Sequence, residues 1–137
     1  MRLFVDTSAF LALEDGNDRN HKSAIEFRNA IRDSLTPYRI LYTTNYVLDE
    51  TLTIIQNELG HSSAISFGEA IKSSKLVEIL WIDKETDSNT WNIFKKYKDK
   101  NFSYTDCSSF ATMDREGIDS VFTFDKHFAQ YGFKSLP

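Results

Sequence analysis

Two rhythms of apolar and polar residues alternate along the chain. Short unbroken apolar runs, the mark of buried strands, are separated by stretches in which apolar residues recur every three or four positions, the mark of amphipathic helices. Leu3-Phe4-Val5 is the first run. It stops at Asp6, and Asp6-Thr7-Ser8 then offers helix-capping side chains ahead of Ala9-Phe10-Leu11-Ala12-Leu13. Further strands are predicted at Ile40–Thr44, at Val77–Ile82 and at Ser120–Phe124, the last ended by Asp125.

The helical stretches lie between these runs. From His21 to Leu35, the residues Ala24, Phe27, Ile31 and Leu35 share one face, and Thr36-Pro37 ends the helix because proline disfavours helical backbone before it. Asn45 is the predicted cap of a helix with a stripe of Val47, Leu48, Thr51, Leu52, Ile55 and Leu59, stopped by Gly60. A helix over about His61 to Lys75 buries Ala64, Phe67, Gly68 and Ile71. One over Lys84 to Lys100 is built around Trp91, Phe94 and Tyr97. Another opens at Ser103, turns Phe110, Ala111 and Met113 inward and stops at Gly117. The tail from Lys126 to Pro137 holds a helical turn and a short edge strand near Phe133. Strands alternating with helices predict an α/β fold with a central parallel sheet and helices on both faces. No linker or repeat interrupts the pattern, so residues 1–137 read as one domain.

Composition narrows the class. Hydrophobic residues make up 41% of the 137 and charged residues 26%, the balance of a globular chain. The single cysteine, Cys107, excludes an internal disulfide and a cysteine-based zinc cluster and points to a reducing cytoplasm. No apolar run approaches the roughly 18 residues of a membrane span, and no secretory signal opens the sequence. A net charge of -4 argues against broad phosphate neutralisation as the mode of action. Acids gathered at a metal site would lower the net charge while basic residues elsewhere still met a nucleic-acid backbone.

Asp6, Glu50, Asp106 and Asp125 fall at comparable places: two strand ends, the helix after the second strand, and a helix start. The C-terminal ends of parallel strands share one sheet edge, which is where such folds place ligands. Two like charges about 4 Å apart repel by roughly 4 kcal/mol at an effective dielectric near 20, so gathered acids need protons or a cation. Oxygen ligands without His or Cys favour Mg²⁺ or Mn²⁺, which equips a site for phosphodiester hydrolysis. Each acid also has a structural explanation. Asp6 and Asp125 stand where caps are needed, Asp106 is three residues past Ser103 as in a capping box, and Glu50 suits a solvated helix face.

Leu3–Ser8, Thr44–Glu50, Tyr104–Phe110 and Val121–Phe128 resemble the four successive motifs of the PIN-domain family, and most closely its VapC-type toxins of toxin–antitoxin pairs. The resemblance implies a three-layer α/β/α sandwich and a metal-dependent ribonuclease. It implies that Asp6 and Asp106 hold the metal most directly, that Asp125 completes the metal site, and that Glu50 positions or deprotonates the attacking water. Ser8, Thr105 and Thr123 match small polar positions that help orient ligands. A homodimer, a small antitoxin partner and an RNA substrate are implied with them.

Other residues are assigned blander roles. His127 is expected to pack within the turn after Asp125, with contact to substrate phosphate as its alternative, and Cys107 to be an inert buried thiol. The run Lys95-Lys96-Tyr97-Lys98-Asp99-Lys100 is expected to be a solvated helix end, with phosphate contact as its alternative. A dehalogenase-like phosphatase would need a second acid where Ser8 stands. An RNA-processing housekeeping nuclease and a non-catalytic binding module remain the rivals.

Overall fold

A strand apolar on both faces has to lie inside a sheet covered on both sides. Strand β1 (Arg2–Val5) is such a strand, with Leu3, Phe4 and Val5 all buried. The computed structural model describes residues 1–137 and places β1 at the centre of a five-stranded, all-parallel sheet. Its neighbours are β2 (Ile40–Thr44) and β4 (Ser120–Phe122), and the outer strands are β3 (Val77–Leu80) and β5 (Lys134–Leu136), in the order β3-β2-β1-β4-β5. In register, Leu3 pairs with Leu41, and Val5 with Phe122.

Seven helices connect the strands: α1 (Thr7–Glu14), α2 (His21–Arg32), α3 (Asn45–Leu59), α4 (His61–Ser73), α5 (Lys84–Lys96), α6 (Tyr104–Glu116) and α7 (His127–Tyr131). On one face, Val5, Leu41, Val77 and Phe122 line a small cavity together with Phe10 of α1, Ile31 of α2 and Ile71 of α4, beside Phe10–Phe67 and Phe27–Phe122 ring contacts. Elsewhere Phe110 of α6 packs against Phe102, Phe128, Tyr131 and Phe133, which ties α6 to α7 and the last strand. The chain winds outward from β1 to β3, then returns past β1 to β4 and β5. The reversal lies between β1 and β4, and at such a switch point the outgoing connections diverge and leave a crevice above the strand ends.

Several sequence expectations are revised. Thr44, not Asn45, caps α3 by accepting from the Val47 amide; Asn45 Oδ1 instead accepts from Ile82 N and ties the end of β3 to the end of β2. α2 stops at Arg32, Ser34 takes a left-handed φ of 59°, and Leu35 lies outside the helix, 78% exposed. Leu59, at the end of its stripe, is also exposed. β3 ends before Trp81, and β4 before Thr123. α5 is not built around Trp91 and Phe94, which are exposed; its buried residues are Thr86 and Thr90. The threonines let α5 approach α6 closely, and Arg115 of α6 donates to Thr86 Oγ1 and Asp83 Oδ2 across that contact.

Candidate active site

Local rules of chain folding deliver three acids to the crevice. Asp6 follows β1 and caps α1, its Oδ2 accepting from the Ser8 amide at 3.3 Å. Asp125 comes just after β4, the neighbour of β1, and its Oδ1 accepts from the His127 amide at 2.9 Å. Asp106 lies in the first turn of α6 in a reciprocal capping box: Ser103 Oγ accepts from its amide at 2.9 Å, and its Oδ2 accepts from Ser103 N at 3.1 Å.

Hydroxyls lock Asp6 in place. Ser8 Oγ donates to Asp6 Oδ2 at 2.9 Å and Thr123 Oγ1 donates to the same oxygen at 3.0 Å. The two hydroxyls in turn accept from the amides of Phe124 and Asp125. This lattice takes over where β4 ends: the Thr123 amide still donates to Leu136 O of β5, and the Phe124 and Asp125 amides then turn to the hydroxyls at the crevice. Ser8 and Thr123 thus both hold Asp6 through one oxygen. Thr105 does not join them, since only its carbonyl is engaged, by Ser108 Oγ.

His127 packs within the turn after Asp125, as the sequence predicts, and its ring also reaches Asp106, which the sequence does not show. Its Nδ1–H donates to Asp106 Oδ2 at 3.0 Å and stands 3.2 Å from Asp125 Oδ1, while its ring meets the edge of Phe102. The placement depends on the turn Asp125-Lys126-His127, which the Asp125 carboxylate closes by capping the His127 amide. An acid followed two residues later by histidine at a strand end was the available signal.

The three carboxylates share one design. Asp6 uses Oδ2, Asp106 uses Oδ2 and Asp125 uses Oδ1 for the hydrogen bonds that anchor them, and the second oxygen of each has no protein donor. Ligand atoms of Asp106, Asp125 and His127 all lie within 4.8 Å of one another. Asp6 lies outside that group but is close enough to be coupled to it. Burial, then the Asp106 charge, push its carboxyl up to about 7, with Asp125 adding in the same direction. Asp106 is likewise raised, by burial first and Asp125 second. Acids held above their ordinary range in a polar crevice are disposed to receive a cation. Anchored carboxylates with free oxygens fit a hard divalent ion, and a histidine that donates to Asp106 and stands against Asp125 is the kind of orienting partner such ligands require.

Glu50 is half-buried in the second turn of α3, whose cap Thr44 ends β2 at the same sheet edge, and it makes no hydrogen bond or ion pair. A wholly polar depression beside the acids is lined by Lys100, Lys126, His127 and Gln130 together with Asp99 and Asn101. Cys107 is fully buried, with its thiol pushed up to about 11 by burial and the Asp106 charge, so it is inert as a nucleophile.

Fold and site together define a doubly wound α/β protein with a carboxylate-rich crevice suited to a divalent cation. Residues 3–134 match the PIN domain, and the chain belongs to the PIN-domain family. It is 30% identical over 131 residues to the 23S rRNA-specific endonuclease VapC20 of Mycobacterium tuberculosis, covering 96% of this chain and 95% of that protein. It is 28% identical over 110 residues to a VapC ribonuclease of Archaeoglobus fulgidus, covering 80% of this chain and 68% of the relative. The crystal structure of VapC20, described as a sarcin–ricin loop cleaving toxin, superposes with a TM-score of 0.86 at 29% identity over 96% of this chain and 95% of that one. FitAcB from Neisseria gonorrhoeae shares the fold, with a TM-score of 0.69 at 16% identity, covering 100% of this chain and 97% of that one. The three-layer α/β/α sandwich expected from the motifs is therefore the fold of this chain. No helix is long and apolar enough to cross a membrane.

Proposed function

We propose that this chain is an endoribonuclease that uses Mg²⁺ or Mn²⁺ to hydrolyse RNA phosphodiester bonds, and that it acts in the cytoplasm as the toxin of a toxin–antitoxin pair. The observation that carries this reading is the anchored state of Asp6, Asp106 and Asp125, each fixed through one oxygen with the other free. In this reading those three acids hold the ion, and His127 keeps Asp106 and Asp125 from rotating their free oxygens away. When bound, the cation supplies Lewis acidity toward water and toward the scissile phosphate.

The chain's own groups do the rest. Glu50, with no partner of its own, takes the proton of the attacking water. Lys100 and Lys126 flank the acids and balance the charge of the incoming phosphate. Ser8 and Thr123 hold Asp6 in one rotamer. A small antitoxin as protein partner and a homodimer as the assembly belong to the same proposal, and light scattering with and without a co-expressed antitoxin checks both.

The named activity of the mycobacterial relative makes 23S rRNA the first substrate to try, beside tRNA and mRNA. Cut sites are mapped with and without Mn²⁺ for the wild type and for Asp6→Asn and Asp106→Asn. The expected result is metal-dependent cleavage that both substitutions abolish while the circular dichroism spectrum is unchanged. Undiminished cleavage by either folded variant would sink the proposal.

A further inference from the structure

Helix α5 turns its two largest side chains to solvent. Trp91 is 52% exposed and Phe94 41%, and their rings stack on each other with centroids 6.0 Å apart. They line a shallow groove completed by Asn92, Lys95, Lys96 and Lys98, with no carboxylate among the lining residues. In a chain of net charge -4, this is a cationic, aromatic surface. Its elements are those with which proteins hold single-stranded nucleic acid, flat rings for bases and ammonium groups for phosphates.

Two links place the groove near the acidic crevice. Phe94 stands edge-on to Tyr104, with centroids 5.6 Å apart, and Tyr104 begins α6 two residues before Asp106. Lys98 of the groove and Lys100 of the polar depression beside His127 are two residues apart, at most about 7 Å of chain. We propose that this face of α5 binds the unpaired RNA strand leading to the acids, with bases on Trp91 and Phe94 and phosphates on Lys95, Lys98 and Lys100. The inference rests on the ribonuclease reading and adds to it the surface that holds substrate away from the reacting bond.

The test uses the full chain in EDTA, so that RNA is bound and not cut, with a short unstructured oligoribonucleotide as probe. Trp81→Phe leaves Trp91 as the sole indole, and its fluorescence is expected to be quenched as RNA is added. Trp91→Ala is expected to weaken binding about 5- to 100-fold, the effect of losing one base-stacking ring. Lys95→Ala and Lys98→Ala should each flatten the dependence of log affinity on log salt by about 0.7. With metal restored, Trp91→Ala should raise KM more than it lowers kcat. Unchanged affinity and salt dependence in these variants would overturn the inference. So would a change in solution mass of Trp91→Ala with RNA affinity intact, which would assign the groove to a contact between copies. Asp106→Asn judges the ribonuclease reading separately: lost cleavage with retained RNA binding upholds that reading even where α5 proves irrelevant, whereas a wild-type chain that neither binds nor cuts RNA overturns both.

Discussion

Replacing Asp6 by asparagine removes a charge from a place where burial and the Asp106 carboxylate hold the acid near a pKa of about 7 instead of 3.8. Asparagine keeps a carbonyl oxygen able to accept from the Ser8 amide and from the Ser8 and Thr123 hydroxyls, so the cap of α1 and the lattice at β4 survive. The sign of the effect follows from linkage. Between pH 4 and 7 the folded chain retains a proton that the unfolded chain releases, so the metal-free fold loses stability as pH rises through that window and regains it on acidification. A gap of about 3 pH units, at about 1.4 kcal/mol each, gives a penalty of about 4 kcal/mol once Asp6 is ionised. Asp6→Asn escapes that penalty.

The assay is thermal unfolding in EDTA from about pH 4 to pH 8 for wild type and Asp6→Asn, followed by circular dichroism. The difference in Tm should be near zero at the acid end and on the order of 10 °C in favour of the variant at the alkaline end. Adding Mn²⁺ at the alkaline end should raise the Tm of the wild type and leave that of Asp6→Asn nearly unmoved, since ligand that binds only the folded state stabilises it. A variant no more stable than wild type at the alkaline end, or a difference independent of pH, would refute the view that Asp6 is held in the fold against its own electrostatics.

Other substitutions probe the groups around it. His127→Ala removes the donor to Asp106 that also stands against Asp125, and should cost about 10- to 100-fold in Mn²⁺ affinity by calorimetric titration, as losing an orienting partner does. Ser8→Ala and Thr123→Val each remove a hydroxyl that lowers the Asp6 pKa, so each should move the acid limb of the kcat/KM profile to higher pH. Ser109 Oγ is buried in α6 with no hydrogen-bond partner, and Ser109→Ala should stabilise the fold by about 1 kcal/mol in urea unfolding by releasing an unpaired hydroxyl.

How far the sequence could be read depended on whether a property was local. The order of strands and helices is visible because periodicity reports which face of each segment is apolar, and Asp6 and Asp125 could be put at one sheet edge because parallel strands end together. Periodicity does not report what that face meets. On α5 the aromatic stripe of Trp91 and Phe94 was read as core, yet close approach to α6 requires Thr86 and Thr90 there, and the aromatics are left outside. Leu35 failed for a related reason: the pattern continued past the point where Ser34 had already left helical backbone. His127 was hidden because its contact with Asp106 joins residues 21 apart through a turn whose closure depends on one carboxylate oxygen of Asp125.

The structural explanation of each acid leaves room for a functional one, and the geometry separates the two oxygen by oxygen. Asp6 is the cap of α1, Asp106 is the acidic half of a capping box, and Asp125 closes the turn into α7, as the bland explanations require. A carboxylate has two oxygens, and capping uses only one. Fixing that oxygen removes rotational freedom the acid would otherwise lose on binding an ion, so in the proposed metal site capping would prepare the second oxygen as a ligand. Glu50 has no such anchor, and the proposed ribonuclease uses it to move a proton and not to hold the cation.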